Sequence, residues 1–299
     1  MNIMAQIDFD SRFGVWWTSD SWPITDARDR AGEMERLGYA SLFYGEAGGK
    51  ETFTQAAAFL GGTERLVVGT GIANIHARSA PASEAAARTL GALHPGRFVL
   101  GLGVSHAPLV EHSYAGSYSK PLSTMREYLR VMDSVPEQIE SGAQRPARLL
   151  AALGPKMIEL SGTAGDGAHP YLVTPEQTAR TRELLGPDKW VVSEQAVALT
   201  TDRETGLRRA HQHLHMYSQL PNYQQSWLRQ GFSESDLVVG GSERLAEHMV
   251  AMGDAESIAG RLREHLDAGA DHVLIQVIGD DLAEDPMPVL RELAPALGL

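Results

Sequence analysis

The 299-residue chain contains no cysteine. That excludes disulfides, thiolate metal sites, iron–sulfur clusters and a cysteine nucleophile. Lysine is scarce, four against 22 arginines, and 26 basic residues face 38 acidic ones for a formal charge of −12. A chain of that sign lacks the basic surface that nucleic acids or anionic membranes attract, so neither is an expected partner. No apolar run approaches the roughly 20 residues that span a bilayer. Residues 1–10 have neither the basic nor the apolar segment of a signal peptide, so a soluble, cytoplasmic protein is expected. What the chain does have is 43% hydrophobic residues and 30 glycines. That is enough for a full-sized core, built as two ordinary domains or as one large α/β barrel with insertions.

Short β-branched or aromatic runs alternate with helical stretches throughout. Strands are predicted at residues 12–17, 41–44, 65–73, 97–103, 148–153, 168–173, 190–199 and 272–278. Helices are predicted at about 25–37, 52–60, 82–93, 122–139, 156–161, from 174 onward, and at 288–297. Eight strand–helix units in one array favour a closed (β/α)8 barrel over an open doubly wound sheet. Gly69-Thr-Gly71 follows the third strand and lacks the third glycine of a dinucleotide fingerprint. About 70 residues separate the seventh and eighth strands, roughly twice what one unit needs. The excess, about 216–241, contains Tyr217, Tyr223, Trp227 and Phe232. It reads as a lid over the C-terminal mouth, and equally as a small satellite core beneath a long loop. The whole chain, 1–299, is thus expected to be one barrel domain.

In such a barrel the chemistry lies just past the strand ends. Those ends offer Glu46 after the second strand, Gly71, Ile72, Asn74 and His76 after the third, and Val104, Ser105 and His106 after the fourth. Leu153, Gly154, Pro155 and Lys156 follow the fifth, His169 and Tyr171 belong to the sixth, Glu194 and Gln195 lie within the seventh, and Gln276 is in the eighth. Histidines and carboxylates around one mouth can donate or accept protons. Equally, His169 can be a structural cap and Glu194 a charge paired inside the barrel. Gly154-Pro155 reads as a helix start whose free N–H groups attract anions. His211-x-His213-x-His215 suggests a metal motif, but in a helix only His211 and His215 share a face, and the group lies far in sequence from any strand end. No metal site is expected.

The segment 66–111 resembles the core of the luciferase-like flavin- or F420-dependent oxidoreductases. The Gly154-Pro155-Lys156 helix start, Thr163-Ala-Gly-Asp-Gly167, the insertion after the seventh strand and Gly269-Ala-Asp-His-Val273 agree with it. The resemblance covers about residues 10–298. Gly103-Val-Ser-His-Ala-Pro-Leu-Val110 and Glu194-Gln195 are most similar to a probable F420-dependent subgroup. It implies a (β/α)8 barrel with insertions, commonly a homodimer. It also implies a non-proline cis peptide at Gly71–Ile72 supporting the deazaflavin ring, with Asn74 at the ring's polar edge and Glu46 in contact with the cofactor. Val104 and Ser105 would line the ring and side chain, and Gly154-Pro155-Lys156 would hold the phosphate. Leu153, His106 and Gln195 complete the expected cofactor contacts, while His106, His169 and Glu194 are the catalytic candidates.

Two departures matter. Where the sugar-phosphate dehydrogenase branch has a glutamate after the fourth-strand glycines, this chain has His106, and Ala47 replaces a histidine after the second-strand acid. Glucose 6-phosphate is therefore not the expected substrate. The leading expectation is an F420-dependent enzyme moving a hydride to or from a small carbonyl, alcohol, imine or activated alkene. The alternatives are an FMN-dependent monooxygenase of the same fold, a non-catalytic F420-binding barrel, and a metal-dependent barrel hydrolase if the histidines were to reach the mouth.

Overall fold

In the computed structural model, residues 7, 9–114, 118–136, 145–281 and 283–299 are described. The chain runs through β1 (Phe13–Trp16), α1 (Ile24–Arg36), β2 (Ser41–Tyr44), α2 (Thr52–Gly61), β3 (Val67–Thr70), β4 (Ala73–Asn74) and α3 (Ala80–Leu93). It continues through β5 (Phe98–Gly103), α4 (Ala107–Ser113), α5 (Pro121–Asp133), β6 (Ala147–Ala151), α6 (Pro155–Ala164), β7 (Gly167–His169) and α7 (Pro175–Leu185). Then come β8 (Trp190–Leu199), α8 (Arg203–Tyr217), α9 (Pro221–Arg229), α10 (Glu243–Met249), β9 (Val250–Gly253), α11 (Ala255–Asp267), β10 (His272–Val277) and α12 (Met287–Leu297).

Eight strands close into a parallel barrel in the order β1-β2-β3-β5-β6-β7-β8-β10, with β10 returning to β1. Register decides which side chains point inward, because residues level with one another on parallel neighbours share a face. Gly14 is level with Leu274, and Leu274 with Glu194. Phe43 is level with Gly69, Gly69 with Val99, and Gly101 with Leu149. Trp16, Phe43, Val67, Val99, Leu149, Val192 and Leu274 accordingly form one buried cluster inside the barrel. The larger cluster, with Met34, Phe59, Leu90, Leu129, Leu262 and Leu293, lies between strands and surrounding helices. At the N-terminal end His272 bonds to Ser41 Oγ at 2.7 Å and stacks on Phe9, closing the floor.

The single strand expected at 65–73 is two. A cis peptide at Gly71–Ile72 interrupts it, and β4 resumes against the end of β5. Two glycines of β5 make room for this bulge. An added Cβ at Gly101 would lie 1.9 Å from the Thr70 carbonyl oxygen, and one at Gly103 2.5 Å from the Ile72 side chain. The strand expected at 168–173 stops at His169, since Leu172 turns into the left-handed region at φ 52°. Where β7 ends, β9, which the sequence pattern does not announce, takes over that edge of β8. The helix expected at 122–139 ends at Asp133; residues 137–139 of that expectation lie outside the described residues.

Candidate active site at the barrel mouth

The bulge forms one wall of the mouth. Glu46 accepts from Asn74 N at 2.8 Å, pairs in a bidentate manner with Arg78, and donates its own N–H to the Ile72 carbonyl. It braces the bulge, with both carboxylate oxygens engaged. The Asn74 side chain accepts from His76 N at 3.0 Å, while its Nδ2, buried, makes no full hydrogen bond. Trp16 donates its indole N–H to the Gly71 carbonyl at 2.9 Å. Val104, Ser105 and His106 follow β5. Ser105 has a left-handed backbone (φ 59°), and its carbonyl accepts from Tyr118 at 3.2 Å. His106 precedes the first turn of α4 and faces Tyr223 at 5.6 Å between centroids.

The opposite wall is aromatic. Tyr171 packs on Trp16 at 5.5 Å and on Tyr217 at 5.4 Å, and Tyr217 packs on Tyr223 at 4.9 Å. The Tyr171 hydroxyl donates to Gln276 Oε1 at 2.7 Å and lies 3.0 Å from the Tyr217 hydroxyl. Trp227, fully buried, donates to the Leu172 carbonyl at 3.3 Å and fastens α9 to the loop after β7. The aromatic residues of the insertion at 216–241 form a satellite core with Leu172, Leu207 and Leu214, and Tyr223 reaches His106 after β5.

Three catalytic candidates have different electrostatics. His169 Nδ1 lies 2.8 Å from the Val192 carbonyl. A carbonyl only accepts, so Nδ1 carries the proton and Nε2 is a bare lone pair. Burial depresses its pKa to about 4, against the opposing effect of that carbonyl. Burial also lowers His106, whose Nδ1 has no partner. Glu194 is fully buried; its Oε2 accepts from Leu172 N at 3.1 Å and its Oε1 has no partner. Desolvation raises its pKa to about 8 in spite of the Leu172 N–H, so its carboxyl is neutral at pH 7.

Gln195 is a correction. Next to an inward Glu194 it must face outward, and there its Nε2 donates to the Met249 carbonyl while its Oε1 meets His265 Nε2, each at 2.9 Å. The side chain holds β8 to β9 and α11 and touches nothing at the mouth. The three histidines of α8 also separate. His211 bonds to the Gly240 carbonyl, His215 is exposed, and His213 enters the aromatic wall 5.5 Å from Tyr217. Sequence distance from a strand end misplaced His213, because α8 folds back over the mouth. Among the described residues no group of three or more His, Asp or Glu is arranged to hold a metal.

At the far side of the mouth α6 begins at Pro155 with Gly154 as a cap lacking a side-chain bond. Arg229 at the end of α9 donates weakly to the Leu153 carbonyl at 3.4 Å, its Nη2 3.7 Å from where a Gly154 Cβ would be. Among the described residues Arg229 has no carboxylate partner, and burial lowers its pKa. A helix start beside an uncompensated guanidinium suits a phosphate. Lys156 is exposed in the first turn.

The sequence profile described as luciferase-like monooxygenase matches residues 9–272. A "Putative coenzyme F420-dependent oxidoreductase" of Mycobacterium tuberculosis (strain ATCC 25618 / H37Rv) is 38% identical over 124 residues, 42% of this chain and 35% of that protein. The match therefore spans about a third of that relative's length. An F420-dependent glucose-6-phosphate dehydrogenase of Intrasporangium calvum is 25% identical over 321 aligned residues, 89% of this chain and 94% of that protein. Among solved structures, an F420-dependent secondary alcohol dehydrogenase in complex with an F420-acetone adduct superposes with a TM-score of 0.77. Its identity is 14%, covering 96% of this chain and 99% of that one.

Proposed function

The chain belongs to the luciferase-like monooxygenase family, and from that premise we propose that it is an F420-dependent oxidoreductase moving a hydride to or from a small organic substrate. The observation that carries this reading is the bulged strand end. Its backbone lies over the glycine bed of β5 beside the buried, incompletely bonded Asn74 amide. A flat ring with carbonyls on its polar edge is complementary to that amide and to the flat peptide backbone of the bulge. The F420 dependence of the glucose-6-phosphate dehydrogenase relative supports the same choice.

When bound, the deazaflavin supplies a hydride at one ring carbon. The chain's residues would do the rest. Asn74 orients the ring edge, and Gly71, Ile72, Val104 and Ser105 line it. Gly154, Lys156 and Arg229 hold the phosphate, with the Leu153 carbonyl fixing Arg229. Tyr223 and the helix that carries it exclude water. Glu46 keeps the bulge in place through Asn74 N and Arg78. Of the proton-transfer candidates, His169 can take a proton at Nε2 but has none there to give, His106 is neutral at the rim, and Glu194 holds one at neutral pH.

Because Arg229 and the α6 start would accept any phosphate, FMN is the alternative cofactor, and with it the monooxygenase chemistry in the family's description. Separate titrations with F420 and FMN, followed by absorbance and fluorescence, decide between them. F420 is expected to bind the more tightly, with Asn74→Ala and Arg229→Ala each weakening it by about tenfold, the worth of one good polar contact. Tight FMN binding with none of F420 would overturn the proposal. Hydride exchange with reduced F420 separates an enzyme from a non-catalytic F420-binding barrel. A cytoplasmic homodimer is the assembly we propose, and sedimentation velocity tests the dimer.

A further inference from the structure

We propose that the wall formed by Glu194, Tyr171, Tyr217 and Tyr223 recognises an organic cation, a protonated amine or an iminium ion, as the reacting group of the substrate. For its chemistry this rests on the hydride transfer proposed above; for its recognition it rests on the wall alone.

The wall is rich in acceptors and in aromatic faces. Glu194 is inward by register, and its Oε1 is buried without a partner. Among the described residues no lysine or arginine is hydrogen-bonded or ion-paired to it or to the three tyrosines. The Tyr171 and Tyr217 hydroxyl protons are already used: Tyr171 donates to Gln276, so the proton between the two comes from Tyr217, and each oxygen keeps a lone pair. His169 Nε2 is a further bare acceptor. Tyr171, Tyr217 and His213 are deeply enclosed yet keep accessible surface, so a ligand can reach this wall.

Buried carboxyl groups in proteins are normally paired, because an unpaired charge in low dielectric is costly. Here no cation comes from the described residues, and the enclosing rings attract one through their faces. A cation against Tyr171 and Tyr217 lies within the low-dielectric field of Glu194 and favours its ionised form. The groups facing Glu194 are Tyr171 from the loop after β7, Tyr217 from α8 and Tyr223 from α9; His213 packs on Tyr171 and Tyr217, and His169 lies at the end of β7. Burial keeps the tyrosines and both histidines neutral at pH 7. Glu194 is therefore the group whose charge answers the ligand. The chemistry balances without a proton donor. An iminium carbon gains the hydride, a C–H bond forms, and the C=N π pair becomes the nitrogen lone pair of a neutral amine. In the oxidising direction a bound ammonium first gives its proton to the ionised Glu194 carboxylate, and the free amine then loses the hydride while its lone pair closes the C=N bond.

Calorimetry of the protein as isolated, at pH 7 in two buffers of different ionisation enthalpy, tests this with four probes of one shape: cyclohexylamine, cyclohexanol, cyclohexanone and cyclohexanecarboxylate. The amine should bind about tenfold or more tighter than the alcohol, the order of a desolvated cation–π contact. It should also release a proton, which the neutral probes should not. Glu194→Gln should abolish both the release and the preference, and Tyr217→Leu the preference alone. Equal or tighter binding of the alcohol or ketone, no proton release, or an unchanged preference in a folded Glu194→Gln or Tyr217→Leu protein overturns it. Failure to bind F420 would overturn the hydride reading while leaving the cation preference intact. F420 binding with neutral probes preferred would do the reverse.

Discussion

At the scale of single residues, titration and close approach are the informative properties. Glu194 has a folded-state pKa raised by desolvation to about 8 from the ordinary glutamate value of 4.5. Between those values the folded protein holds a proton the unfolded chain has lost, so stability falls as pH rises through that window and levels off above it. His169 and His213, each depressed by burial to about 4, and His272, depressed to about 3, act in the opposite sense. They lower stability as pH falls below the ordinary histidine value of 6.5. Thermal melting from pH 4 to pH 9 should therefore show a maximum, and Glu194→Gln should flatten the alkaline limb and steepen the acid limb, where Glu194 had opposed the histidines. An alkaline limb of equal slope in the variant would mean that Glu194 is ionised in the folded state. The β5 glycines make a second prediction. Gly101→Ala meets a backbone oxygen that cannot move aside, whereas Gly103→Ala meets the flexible end of Ile72. The first should destabilise by about 1–3 kcal/mol, as overpacking does, and the second by less; urea unfolding ranks them.

At the scale of elements, β8 and the insertion show what was legible in the sequence. The strand at 190–199 is marked by its β-branched run, but the run does not say which of two polar neighbours faces in. The register against β10 does: Leu274 stands level with Glu194 and Ile275 with Gln195. Gln195→Ala should therefore leave cofactor affinity unchanged and cost about 1–3 kcal/mol, because His265 loses a buried partner. A loss of cofactor affinity without a loss of stability would restore Gln195 to the site. In the insertion, aromatic composition left a lid and a satellite core equally open, and Trp227 is fully buried at the centre of its packed aromatic cluster. Trp227→Ala should cost roughly 3–5 kcal/mol, the range for emptying a large aromatic site. Hydrogen exchange should then rise in α9 before it rises in the barrel strands. His213 was not legible, since its place depends on how α8 packs. Nor was β9, a four-residue strand that pairs only where β7 has already stopped.

At the scale of the whole molecule, the count of eight strand–helix units was the decisive sequence signal, and the closed parallel barrel follows it. The missing cysteines leave His, Glu and Tyr as the proton-exchanging groups at the mouth. The net charge of −12 tells little about the site. The corner at the start of α6 is locally cationic through Arg229, and the aromatic wall around Glu194 has no cation among the described residues. This division, cation on one side and acceptors on the other, is a property of the assembled barrel that composition cannot express. The central claim is a hydride transfer that needs no oxygen. Its most direct test is a single-turnover experiment under strictly anaerobic conditions, with reduced F420 mixed with the protein and a panel of cyclic iminium ions and ketones. Protein-dependent oxidation of F420 with one equivalent of reduced product is the predicted result. Turnover seen only with reduced FMN and molecular oxygen would contradict it.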